Sequence, residues 1–402
     1  MTRVRRATAP TNLRVRIDIA DSLSFNCGAS PRTIWSAPSP ASKTKMHEPI
    51  KASNARLRPV RLWLLVSATM ILLTLIVGGA TRLTESGLSI VEWKPVTGVL
   101  PPLSQAEWQT EFAKYQTIPQ YRELNRGMSL DAFKTIYWWE WSHRLLARLT
   151  GAVFLLPLLF FLWRGDIPSR LRARLWAIFG AGAALGVVGW WMVSSGLTQG
   201  VSVSQYRLGF HLTLATAIYA AILWTAQQLA EEPPRTASAR LRFGALALAG
   251  LLLFQIYLGA LVAGLDAGLV FNSWPLIDGD FVPSSERLWF IEPAWRNLFE
   301  NTLTVQFNHR MIAYAIWILA MVHACDSWRT GVGRAGALIL AGAISLQAVL
   351  GIVTLLHQAP LPLALAHQVL AILVFSVAVI HAEHLSHRVV SWVPTESARG
   401  GA

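Results

Sequence analysis

Four histidines carry the chemistry that this sequence can do. His143, His211, His309 and His367 each lie inside a long apolar run. Ionisable side chains within such runs are rare and mark functional sites, and four at matching depth need a common cause. A zinc ion usually takes four ligands close together, often with cysteine or carboxylate among them. The chain has two cysteines, Cys27 and Cys325, and these make neither a CxxC motif nor a disulfide framework. Two imidazoles from separate helices at one depth suit instead the two axial positions of a haem iron, because a flat macrocycle needs an apolar slot with a nitrogen on each face. The simplest pairing joins His143 with His211 and His309 with His367. Arg144 and Arg310 follow the first histidine of each pair. They have two readings: bidentate partners of haem propionates, or cations snorkelling to lipid headgroups.

The two pairs are not equivalent. Glu140 precedes His143 by one helical turn and shares its face, whereas Gln306 precedes His309. A carboxylate beside an iron ligand can move a proton or stabilise charge, and an amide cannot ionise. The alternative is a carboxylate exposed at the membrane interface or paired with Arg144 or Arg148. On the first reading the N-terminal half is reactive and the C-terminal half relays electrons. His323 and His381 lie nearer the inner ends of their segments, have no counterparts in the first half, and weigh less than the four. His357 closes the seventh segment.

The elements that must position these groups are membrane helices. Of 402 residues, 53% are hydrophobic and 14% charged, against about a quarter charged in soluble domains. Eight runs are long enough to span: 62–80, 137–163, 175–195, 207–229, 243–263, 305–325, 336–356 and 363–383. The expected class is therefore all-α integral membrane. The eighteen Trp suit many membrane–water boundaries. The net charge of +13 is placed by arginines in alternate short loops, Arg164 to Arg174, Arg235 to Arg242, and Arg329 with Arg334. That is a topology signal, which puts these loops and both termini in the cytoplasm (or matrix), and it leaves no case for nucleic-acid binding.

An internal repeat organises the helices. The segment 79–87 aligns with 260–268, 141–147 with 307–313, and 210–215 with 366–371. Each half has four spans, so the repeats are parallel. The expectation is two four-helix bundles related by a pseudo-two-fold axis along the membrane normal, an N-terminal one over 61–235 and a C-terminal one over 236–385, with a short tail at 386–402. Residues 1–60 form a basic, disordered tail; their composition also resembles a mitochondrial targeting segment, or an upstream extension ahead of Met46. In the outer loop, Ser104 and Glu107 make a capping box, with Trp108, Phe112 and Tyr115 at helical spacing behind it. This is a surface helix or a lid.

With Gly78-Gly-Ala-Thr-Arg-Leu-Thr-Glu-Ser-Gly-Leu-Ser89, Glu140-Trp-Ser-His143 and the other three histidines in place, residues 60–385 resemble the haem A synthase family, in its cysteine-free bacterial form, and are similar also to the mitochondrial enzyme. The resemblance implies oxidation of haem O to haem A, a ring methyl becoming a formyl group through two hydroxylations. It implies that His309 and His367 ligate a cofactor haem b. His143 and His211 would then hold the substrate haem O iron, with Glu140 catalytic, and thiol-based mechanisms are excluded. It further implies haem O entering from membrane lipid, haem O synthase as partner, an unidentified electron acceptor and a role in terminal oxidase assembly. The location expected is the bacterial inner membrane, with the mitochondrial inner membrane as alternative; a homo-oligomer is compatible with the sequence. The rival readings are a quinone-linked diheme b-type electron carrier, which would not need Glu140, and a transporter, against which the spans lack midplane Gly/Pro breaks.

Overall fold

The computed structural model describes residues 48–198, 200–230 and 237–386. The greater part of the N-terminal tail and the stretch 387–402 lie outside them. Eight helices are long and apolar enough to cross a membrane: α1 (Glu48–Leu83), α2 (Leu130–Trp163), α3 (Ser169–Thr198), α4 (Gln205–Gln228), α5 (Ala239–Gly264), α6 (Thr302–Thr330), α7 (Arg334–Leu356) and α8 (Leu361–Ser386). Hydrocarbon offers the backbone no partner, so each span closes its own hydrogen bonds as helix. The chain is a multi-pass membrane protein. Its lipid-facing surface is apolar: Leu62, Leu156, Trp163 and Phe243 are all well exposed.

Several helix ends are written in the sequence. Ser129 caps α2 by accepting from the Ala132 amide (3.2 Å). Asn301 caps α6 by accepting from Leu303 and Thr304 (3.0 and 3.3 Å). Gly331, at φ 79°, ends the same helix in the left-handed region that glycine enters without strain.

One core runs through all eight helices. Leu64, Leu158, Leu175, Ile222, Leu248, Ile316, Leu340 and Val374, one from each, are buried in it. In the C-terminal half α5 and α7 both pack on α6 and on α8, which leaves α6 and α8 diagonally opposed. Helix α4 packs on both α5 and α8. Tyr219 and Ser376 share a 2.7 Å hydrogen bond across that seam. Helix α1 is held mainly through side chains. The Trp63 indole donates to the Val153 carbonyl (2.9 Å), Arg82 to the Ala263 carbonyl (2.7 Å), and Gln368 donates back to the Leu75 carbonyl (2.9 Å).

Helix α2 begins seven residues before the apolar run that predicted it. Its 34 residues make a rod of about 51 Å, longer than the roughly 30 Å of hydrocarbon. The extra turns lie at its N-terminal end, against the segment that joins it to α1. There Phe133 and Tyr137 pack against the helix Gln105–Tyr115 through Phe112 and Trp108, with ring centroids 5.0 Å apart in both contacts. That helix carries the capping box read from the sequence: the Glu107 amide donates to Ser104 Oγ (3.2 Å), and the Glu107 carboxylate accepts from the Ser104 amide (3.2 Å).

The α4–α8 hydrogen bond gives a stability test. Tyr219→Phe should lower resistance to unfolding by about 1 kcal/mol, read as a shift in the detergent unfolding midpoint. The loss should stay small because Ser376 keeps its bond to the Ile372 carbonyl (2.7 Å).

Candidate functional site

Each histidine of the set stands on an even-numbered helix and faces a glycine on the helix before it. A Cβ placed on Gly189 would fall 3.0 Å from Cε1 of His211. On Gly259 it would fall 3.3 Å from Cε1 of His309, and on Gly351 2.8 Å from Cε1 of His367. In these three the Cε1 edge of the ring rests on bare backbone. His143 is turned differently: its Nε2 leads, 2.7 Å from the Cβ position of Gly78. His211, His309 and His367 sit within about two turns of the N-terminal ends of their helices, and His143 lies nearly four turns into α2.

Glu140 is buried, with 2% of its surface exposed. Four donors converge on it. Its Oε2 accepts from Ser89 Oγ and the Ile90 amide, both at 2.8 Å. Its Oε1 accepts from Arg144 Nε (3.0 Å) and Nη2 (2.6 Å). Both oxygens are used only as acceptors, the pattern of an ionised carboxylate. Of the alternatives open from sequence, pairing with Arg144 is the one observed, and exposure is not. Arg144 also donates to the Glu92 and Ile90 carbonyls (2.9 and 2.8 Å), so it clamps loop 90–92 to α2.

The second half repeats the clamp without the charge. Arg310 donates to the Phe271 and Leu276 carbonyls (3.1 and 3.2 Å), and Phe271 aligns with Ile90 in the sequence repeat. Gln306 reaches the Phe271 carbonyl (3.4 Å), while its Oε1 and the Nε of Arg310 are buried without partners.

Above Glu140 and Arg144 lies a cleft of about 370 Å³ whose walls include Lys94, Arg144, Arg148, Glu92 and Trp141. Lys114 and Lys94 hold the Glu92 carboxyl below the usual carboxylate range by direct hydrogen bonds. Arg148 donates to the Lys94 and Pro95 carbonyls (2.7 and 2.9 Å). Among the described residues, no group of three or more His, Cys, Asp or Glu is placed to hold a bare metal ion.

A model of the cytochrome oxidase assembly protein family COX15-CtaA matches residues 61–379. The chain belongs to that family. It is 62% identical to the haem A synthase of Rhodopseudomonas palustris (strain BisB5) over 333 residues, 82% of this chain and 92% of that protein. It is 58% identical to the haem A synthase of Bradyrhizobium diazoefficiens over 341 residues, 84% of this chain and 95% of that protein.

Sequence reasoning missed the residues that hold the rings. Gln255 and Gln347 each contact the facing histidine, and both stand four residues before its glycine, a spacing visible in the sequence. Ser89 and the Ile90 amide, as anchors of Glu140, were also missed. His323 and His381 meet through their Nε2 atoms at 2.9 Å and are buried. They form an interhelical hydrogen bond between α6 and α8. His357 is exposed at the end of α7 and bonds to the Val353 carbonyl (2.8 Å).

The two arginine clamps should differ in cost. Arg144→Ala leaves a buried carboxylate without its counter-charge and should cost on the order of 3–5 kcal/mol. Arg310→Ala breaks two bonds to carbonyls and should cost less. Thermal unfolding of the two variants side by side checks the order, and equal losses would contradict it.

Proposed function

We propose that this chain is a haem A synthase, an oxidoreductase that converts haem O to haem A by two successive hydroxylations of a ring methyl to a formyl group. The observation that carries the reading is the asymmetry between two glycine-backed histidine pairs. Only the first has a buried carboxylate, Glu140, one turn from its histidine. The relatives named haem A synthase support it over most of their length. A diheme electron carrier would have no use for the Glu140–Arg144 pair, and that alternative is not favoured.

His309 and His367 are the proposed ligands of a resident haem b. The residues present fit such a group: two imidazoles project from diagonal helices into an apolar bundle, bare backbone lies behind each ring, and the buried Oε1 atoms of Gln255 and Gln347 lack donors. When bound there, haem b supplies one-electron redox chemistry. His143 and His211 are the proposed ligands of the substrate haem O iron. Arg144 and Arg310 stand on α2 and α6, each one residue after the first histidine of its pair. Their guanidinium groups are engaged with backbone carbonyls, so a role at propionates is one of shaping the pocket floor as well as supplying charge.

Glu140 acts from a fixed position. Ser89, the Ile90 amide and Arg144 hold its carboxylate before substrate arrives, so no reorganisation is needed when positive charge develops at the oxidised methyl carbon. Its negative charge stabilises that carbon, and a proton released there can be taken up at Oε2 with Ser89 turning away. The isoprenoid tail of haem O calls for entry from lipid, and α1, held mainly through side chains, is the flank on which a passage can open. In this reading the two halves, 61–235 and 236–385, are parallel four-helix repeats about a pseudo-two-fold axis. The protein sits in the bacterial inner membrane with its arginine-rich loops and termini inside. It receives haem O from haem O synthase and passes electrons to an acceptor.

Haem extraction from purified variants tests this. Glu140→Gln, which keeps the size of the side chain, should abolish haem A formation while the resident haem stays. His309→Ala should lose the resident haem. Haem A made at the parental rate by Glu140→Gln would overturn the catalytic role.

A further inference from the structure

The half assigned to the resident haem carries a pair of glutamines that the other half lacks. Gln255 on α5 donates from Nε2 to the main-chain carbonyl of His309 (2.9 Å), and that nitrogen lies 3.1 Å from the ring Nδ1 and 3.4 Å from Nε2. Gln347 on α7 does the same to His367, at 3.0, 3.1 and 3.4 Å. In both, the amide oxygen is buried with no partner. A buried acceptor without a donor is costly, and the same orphan occurring twice, on two helices, implies that a donor arrives in the working state.

The donor is at hand. Iron takes the lone pair of Nε2, which leaves the imidazole proton on Nδ1, and a metal-bound imidazole almost always gives that proton to an acceptor. The amide is already anchored by its nitrogen on the carbonyl of the same histidine. Its free oxygen is the acceptor on that amide left for Nδ1–H once the ring turns Nε2 toward the metal. In the first half the positions four residues before the facing glycines hold Thr74 and Leu185. The Thr74 hydroxyl is bonded to the Met70 carbonyl (2.8 Å) and to Thr150 (3.2 Å). Leu185 has no polar atom, and Nδ1 of His211 is buried without a partner.

We infer that Gln255 and Gln347 are positioning residues that accept the Nδ1 protons of His309 and His367 when these ligate iron, and so make the C-terminal site the one that retains its haem. Their absence from the first half leaves His143 and His211 as weaker ligands, as suits a haem that must enter and leave. The inference rests on the assignment of the resident haem to His309 and His367.

The test uses the full-length protein purified from cells that make no haem O, with haem b as the probe. Gln255→Leu and Gln347→Leu should each weaken haem retention by about 10–100-fold. They should also raise the midpoint potential, since a less basic imidazole stabilises ferric iron less. Gln255→Glu, which keeps an acceptor and strengthens it, should retain haem and move the potential below that of the parent. Leucine variants with parental retention and potential would overturn the inference, as would a Gln255→Glu variant that behaves like Gln255→Leu. His309→Ala separates this failure from a deeper one. If that variant loses the haem while the glutamine variants do not, only the role of the glutamines falls. If it keeps the haem, the assignment beneath falls too.

Discussion

An imidazole that must serve from inside a membrane bundle needs space where packed helices leave none. Glycine on the facing helix provides it. Without a Cβ at Gly189, Gly259 and Gly351, the edge of each ring lies on the neighbouring backbone, and the even helix can approach the odd one without pushing the ring aside. Small residues let membrane helices come close, and here the closeness is used to aim a side chain. At Gly78 the same space admits His143 with Nε2 foremost. The first of the four rings is therefore the one set differently from the rest, and it belongs to the half assigned to the substrate.

Around that shared frame the halves diverge in where they place polarity. The first half puts a carboxylate and its guanidinium partner beside loop 90–92 and leaves Nδ1 of His211 without a partner. The second half keeps the arginine clamp, replaces the carboxylate with Gln306, and places glutamines against both rings. A charge fixed beforehand by four donors suits a reacting carbon. Amide anchors suit a cofactor that stays. The seam between the halves is also polar: Gln368, next to His367, donates to the backbone of α1 at Leu75.

Much of this was legible from residue types and spacing. The eight spans follow from apolar length, and the Ser104–Glu107 cap from its two side chains. The outward extension of α2 was not legible. Its first turns bury Phe133 and Tyr137 against Phe112 and Trp108 while Asp131, Ala132 and Thr135 stay exposed, so an apolar-run criterion begins only at 137. Gln255 and Gln347 were passed over because a single glutamine hardly interrupts a hydrophobic segment. Their significance is tertiary, since it depends on which ring lies opposite. The His323–His381 bond likewise needed the diagonal placement of α6 and α8 to be known. Arg144 was read as a propionate or lipid partner, and its bonds to the carbonyls of loop 90–92 depend on a loop path that sequence does not give.

The division of labour between the halves is the central claim, and haem stoichiometry tests it most directly. Protein purified from cells unable to make haem O should carry one haem b per chain with bis-histidine spectra, and adding haem O should fill a second site without displacing the first. Two haem b per chain under those conditions, or none, would contradict the account.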